Sequence, residues 1–312
     1  MTESNFSSGW RPQREIELIA GTPPGGGQDR PARVLIELIK DRLGVPIKLT
    51  NIAGRGGGNA WDHLAARGGD PHVLAINSPT IITNRLMGES ELDFAALTPL
   101  ANLYTEYLAF VVRPASALRS PADLLRELAR DPAAIRIAFA TAIGNMNHIA
   151  LARIARQAGA DPGALVTDVF DSARYAVAHV VEGRAELAVI SATSAVPELA
   201  SGVLRAIAVS APARLSAPFA EVPTWGENGI DCVVGTWRGV IGTAAITPPQ
   251  VAFWESALCA AVRGEAWRAE LARHHWVDTW RDAAATRAFL DDELANMRSA
   301  LSALGLIAHQ DK

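Results

Sequence analysis

Short apolar runs alternate with stretches of helical periodicity along most of this chain, and that alternation restricts the fold more than any other feature. Such a pattern implies α/β layering with mostly parallel strands. Strands are expected at Glu15–Gly21, Ile47–Asn51, His72–Asn77, Ala109–Val112, Ile135–Thr141, Leu187–Ser191, Leu204–Val209 and Trp237–Ile241. Between them, helices are expected from Asp29 to Leu43, where Gly44 ends the pattern, and from the glycine-rich Gly54–Gly58 through Ala66. Others start at Ser120-Pro121, with proline at the first helical position, and at Pro248-Pro249. A helix through Ala158 and a final one over about Ala283 to Leu304 complete the reading.

A length of 312 residues exceeds one typical domain, so two lobes are expected. Residues 1–105 with 226–312 make the first, and 106–225 the second. Two chain crossings between them would act as a hinge, with a ligand cleft between the lobes. The net charge of −4 and the lack of any clustered Lys/Arg run argue against a nucleic-acid partner. Cys232 and Cys259 are too few for a disulfide framework and lack metal-site spacing; two buried thiols or one disulfide remain open. No metal and no cofactor are expected. No apolar run reaches 18 residues, so no membrane span is expected. Met1 to Arg14 is polar, without the apolar core of an export signal. The chain is therefore expected to be periplasmic if such a signal was removed, and cytoplasmic if the sequence is complete.

The chemistry gathers where strands end. After the first strand comes Thr22-Pro23-Pro24-Gly25-Gly26-Gly27-Gln28-Asp29, and after Phe139 comes Ala140-Thr141-Ala142-Ile143-Gly144-Asn145. Asn77-Ser78-Pro79-Thr80 and Ser191-Ala192-Thr193-Ser194 follow two other strands. Ligands of open α/β sheets sit beyond the carboxyl ends of strands. Helix N-termini there present N–H groups and partial positive charge, suited to a carboxylate or phosphate. Two such starts, one per lobe, could hold one anion without lysine or arginine. Each loop alone is equally a plain strand-to-helix turn.

Familiar catalytic patterns are missing. No Gly-Lys-Ser/Thr follows Gly21–Gly27, so it is not a P-loop, and no G-x-S-x-G elbow occurs. Gly54–Gly58 resembles a dinucleotide fingerprint only loosely. The pair His274-His275 lacks H-E-x-x-H spacing and reads as surface or half-buried. Asp29 reads as a helix N-cap or as a partner for a ligand hydroxyl or amine. His148 reaches the cleft or packs, and Trp237 reads as a core or hinge residue rather than a ligand stack.

Taken in order, these motifs resemble the receptors of tripartite tricarboxylate transporters, also called the Bug or TctC family. The resemblance rests on Gly25-Gly26-Gly27-Gln28-Asp29 through Ala32-Arg33, Leu43-Gly44, Asn51–Gly58 and Ala140–His148. It continues through Leu204–Val209, Arg214, Val222-Pro223-Thr224, Glu227, Gly229 and Trp237-Arg238-Gly239. It implies a type II periplasmic-binding-protein fold, two α/β lobes that close on a small carboxylate and deliver it to a membrane permease. It also implies that Pro24, Gly25, Gly26, Asp29, Thr141, Ala142 and Gly144 hold one carboxylate, largely through backbone amides and waters. Asn77, Ser78, Ser191 and Thr193 match further pocket-lining positions, and Asp171 stands in the segment shaping the far side of the cleft. There the family's Tyr-x-Gly is replaced by Phe170-Asp171-Ser172; Pro23-Pro24 replaces an aromatic, and Gln28 a common threonine.

The expectation is a monomeric solute-binding receptor for a di- or tricarboxylate or aromatic acid, partnered by permease subunits, and not an enzyme. No nucleophile, base and orienting group assemble from neighbouring motifs. The alternatives are a small α/β enzyme acting on a carboxylate or phosphate, and a cytoplasmic sensor or interaction protein on the same scaffold.

Overall fold

The structure, a computed structural model, describes residues 9–307. It divides into two compact units: one holds the residues up to Thr105 with Trp237–Arg273 and Asp278–Ala295, the other Glu106–Thr236, His274–Val277 and the residues from Asn296 on. Residues 226–236, 274–277 and those from 296 therefore group with the second unit, whereas the sequence pattern puts them in the first lobe.

The first unit opens with β1 (Ile16–Ala20), α1 (Asp29–Leu43), β2 (Ile47–Asn51), α2 (Gly58–Ala65), β3 (Val73–Asn77) and α3 (Thr80–Leu86). β1 pairs in parallel with β2 and β3, so the carboxyl ends of all three share one sheet edge. Gly44, at φ +71°, ends α1 in the left-handed conformation that glycine adopts without strain. β3 is buried along all five residues, as the unbroken apolar run Val-Leu-Ala-Ile implies. The edge strand β2 is only partly buried.

Next comes β4 (Thr98–Val112), within which the chain passes to the second unit. That unit continues with α4 (Pro121–Arg130), β5 (Arg136–Ala140), α5 (Met146–Gln157), β6 (Val166–Phe170), α6 (Ala173–Val181), β7 (Leu187–Ser191), α7 (Ala192–Ala200) and β8 (Arg205–Val209). β5 pairs in parallel with β6 and β7, again aligning three carboxyl ends. Antiparallel pairing of β4 with β7 and β8 completes this sheet. Its core packs Tyr107, Phe219 and the aliphatic faces of α6 and β7.

The chain then returns through β9 (Gly235–Gly242), α8 (Pro248–Val262), α9 (Glu265–His274), β10 (Val277–Arg281) and α10 (Ala283–Ala303). β9 inserts antiparallel beside β3, with Asn77 opposite Gly239. α8 packs on α1, and the Trp254 indole donates to the Pro71 carbonyl at 2.9 Å.

Two strands depart from the parallel pattern of β1–β3 and β5–β7: β9 and β4 run against their neighbours. β4 is also far longer than the expected Ala109–Val112. Its first half carries Pro99, Asn102 and Thr105, which break the apolar pattern. In the fold those polar groups are matched: the Asn102 amide donates to the Thr279 carbonyl and hydroxyl at 3.1 and 3.0 Å, and Thr105 meets the same hydroxyl at 2.9 Å. Ala192, Thr193 and Ser194, which follow the expected strand Leu187–Ser191, form the first turn of α7, with Ser191 as its cap.

The cysteines are unpaired, Cys232 buried and Cys259 half-buried. Burial pushes the Cys232 thiol up to about 12, so it stays protonated.

Candidate ligand-binding site

In the first unit, the loop between β1 and α1 is built around Asp29. Its carboxylate accepts hydrogen bonds from the Gly25 amide (2.8 Å), Arg33 Nε and Nη2 (2.8 and 2.9 Å) and Asn51 Nδ2 (2.9 Å). Burial alone would raise its pKa, but the bonds from Arg33, Gly25 and Asn51 outweigh that and hold the carboxyl below its usual range. Asp29 thus lies just inside α1 rather than at its cap, and its acceptors are committed to the loop. The first helical amides, of Gln28 and Asp29, are instead met by the Thr22 hydroxyl, both at 3.2 Å.

Gln28 joins the ends of β1 and β3. Its Oε1 accepts from the Gly21 amide at 2.9 Å, and its Nε2 donates to Ser78 Oγ at 3.4 Å. Ser78 meets Thr80 Oγ1 at 2.8 Å, and Thr80 donates to the Gly56 carbonyl at 2.8 Å. Asn77 and Ser78 are buried beneath this chain. Neither polar atom of the Asn77 side chain has a hydrogen-bond partner among the described residues. Pro24, Gly25 and Gly27 stay exposed on the outer turn, with Gly26 half-buried.

One cation lies against that turn. Arg238 of β9 donates from Nε to the Gly27 carbonyl at 3.1 Å and from Nη1 to the Trp237 carbonyl at 3.1 Å. A Cβ on Gly27 would stand 3.0 Å from its Nη2, so the guanidinium lies directly over the third glycine. Sequence reasoning missed it, because 211 residues separate the pair. Trp237 is a core residue: its indole donates to Glu293 at 3.0 Å, and its ring meets Phe289 edge-on at 5.8 Å.

In the second unit, Asn145 organises the loop after β5. Its Oδ1 accepts from the amides of Asn147 (3.0 Å) and His148 (3.2 Å), and its Nδ2 donates to the Ala140 carbonyl at 2.7 Å. The Gly144 amide donates to His148 Nδ1 at 3.1 Å, so that nitrogen is unprotonated. His148 is buried and stacks on Phe139 at 5.3 Å; burial lowers its pKa to about 4. It therefore packs and braces the loop as a neutral ring. Thr141, Ala142 and Ile143 are exposed, and no hydrogen bond engages the amides of Ala142 and Ile143 among the described residues.

Two neighbouring loops open at the same edge, since β7, β5 and β6 run parallel. Ser191 caps α7, accepting from the Ser194 amide at 3.2 Å, whereas Thr193 donates to the His274 carbonyl. Asp171 is exposed between β6 and α6. Each unit therefore gathers its own predicted residues at the carboxyl ends of its parallel strands. The anion-facing amides differ from those expected: the protein's own Thr22 and Asn145 occupy the helix-start amides, leaving the preceding loops to face solvent. Among the described residues no group of three or more His, Cys, Asp or Glu could hold a metal ion.

Residues 31–306 match the tripartite tricarboxylate transporter family receptor, TctC. The chain belongs to that family. Among curated relatives, BugT of Bordetella pertussis is 26% identical over 91% of this chain and 87% of its own. Among solved structures, a TctC solute-binding protein from Polaromonas superposes with a TM-score of 0.80 at 23% identity, covering 93% of this chain and 99% of that one. An R. palustris protein solved with adipate gives 0.79 at 20% identity, covering 95% and 99%. These likenesses establish the periplasmic-binding-protein fold. TctC receptors are solute-binding proteins of tripartite transporters and not enzymes, which places this chain among carriers rather than catalysts. Among the described residues no helix is long and apolar enough to cross a membrane.

Proposed function

We propose that this TctC receptor captures a small dicarboxylate in the periplasm and presents it to the permease subunits of its transporter. The observation that carries the reading is the pair of loops whose outer residues, 23–25 with 27 and 141–143, are exposed, each braced by a buried side chain at the carboxyl end of parallel strands. The braces spend the Gly25, Gly26 and Gly144 amides and set the shape of each loop before the ligand arrives, which limits the ordering that binding must cost; the Ala142 and Ile143 amides are left to donate. Each unit contributes one half-site: Pro24, Gly25 and Gly26 with their support Asp29 in one, and Thr141, Ala142 and Gly144 in the other. Ser191, Thr193 and Asp171 border the second half-site, and Asn77 and Ser78 underlie the first. Adipate, held by the R. palustris protein, is a small dicarboxylate of this kind.

A thermal-shift panel of mono-, di- and tricarboxylates and aromatic acids on the purified protein tests this. Dicarboxylates are expected to raise the midpoint most, because a ligand at 100 times its Kd adds about 2.7 kcal/mol. A shift confined to monocarboxylates, or none with any acid in protein shown by native mass spectrometry to be empty, would overturn it.

A further inference from the structure

We infer that Arg238 is the charged anchor of the ligand in the first unit, seating one carboxylate of a dicarboxylate beside the glycine turn. The inference deepens the dicarboxylate reading and rests on it. Four observations converge. Antiparallel pairing puts Gly239 opposite Asn77, so Arg238 enters beside Ser78, at the edge where β1 and β3 end. Its guanidinium is held by two carbonyls, of Gly27 and Trp237, which fix its plane without neutralising it. No carboxylate pairs with it among the described residues, a property it shares with Arg30, Arg42 and Arg67 of the same unit; what sets it apart is its place at the glycine turn. Of the five N–H groups of an arginine, two are used here, leaving three, and a planar fork with adjacent free donors matches the two oxygens of a carboxylate.

Glycine at position 27 lies under the same guanidinium. Gly25 needs its left-handed φ of +81°, and a Cβ on Gly26 would meet Thr22 at 2.6 Å, so the turn itself explains those two. At Gly27 the nearest obstruction is the Arg238 guanidinium alone. The Gly25 and Gly26 amides are spent on Asp29 and on the Pro23 carbonyl, so the guanidinium supplies the free donors at this turn.

The test is isothermal titration of adipate and of monomethyl adipate into the wild-type protein, R238Q and R238K, with thermal midpoints recorded for each. Wild type is expected to bind adipate on the order of 10- to 100-fold more tightly than the monoester, the range for a charge-assisted hydrogen-bonded pair. R238Q is expected to lose a similar factor for adipate and to bind diacid and monoester alike, because the monoester's one carboxylate can use the other half-site. R238K keeps the charge but not the fork and should fall between. A purely structural role would weaken both ligands equally and preserve the preference. If wild type binds adipate and R238Q keeps both its affinity and its preference for the diacid, the anchor is refuted while the receptor reading stands. If wild type binds no dicarboxylate, both fall.

Discussion

His148 shows how one buried side chain carries a pH dependence. Its native pKa of about 4 lies below the usual 6.5, so between those values the unfolded chain binds the proton and the native protein does not. Stability from this residue is therefore complete above pH 6.5, declines as pH falls, and levels off near 4. The difference corresponds to about 3 kcal/mol. Denaturant unfolding of wild type and H148Q from pH 7 to 4 should show that decline in wild type and a shallower one in the variant; parallel curves would refute it. At Asp29, D29N should lower stability by about 2 kcal/mol, because Arg33, the Gly25 amide and Asn51 all lose the carboxylate that gathers them. Thermal unfolding checks this, and an unchanged midpoint would contradict it. Both residues stood out in the sequence because they sit in local loop motifs. The role of Asp29 was open from sequence alone, since a cap and a loop brace look the same until Arg33 and Asn51 are seen to converge on it. Arg238 was illegible for a different reason: its contact with Gly27 exists only once β9 has inserted beside β3.

At the scale of elements, local chemistry predicts helices better than strand order. α4 was readable from Ser120-Pro121, and the structure shows the full capping box: Ser120 Oγ accepts from the Asp123 amide at 3.3 Å, and Asp123 accepts from the Ser120 amide at 3.0 Å. S120A should cost about 1 kcal/mol in urea unfolding, whereas S302A, exposed inside α10, should cost far less. Direction and length of β4 and β9 were not readable, because strand pairing is set by partners distant in sequence and because Pro99, Asn102 and Thr105 disguise a buried strand. The β3–β9 seam also explains Gly239. A Cβ there would stand 2.5 Å from the Ala101 carbonyl oxygen and 2.6 Å from Asn77 Oδ1. G239A should therefore destabilise the protein by about 1–3 kcal/mol through overpacking, measured by calorimetry; a neutral substitution would show that the seam is loose.

For the whole molecule, the alternation of apolar runs and helices, and the loops after each strand, foretold an α/β receptor of the TctC family. The assignment of its C-terminal stretches did not follow, since α10 contributes to both units and no composition shift marks where it passes from one to the other. The central claim is that the receptor selects a small acid for its two charges. Titration calorimetry with adipate and with its neutral diamide, at pH 7, tests that claim most directly. The account predicts saturable one-to-one binding of the diacid and at least 100-fold weaker binding of the diamide, about 3 kcal/mol. Equal affinity for both, or binding of neither by protein free of bound ligand, would contradict it.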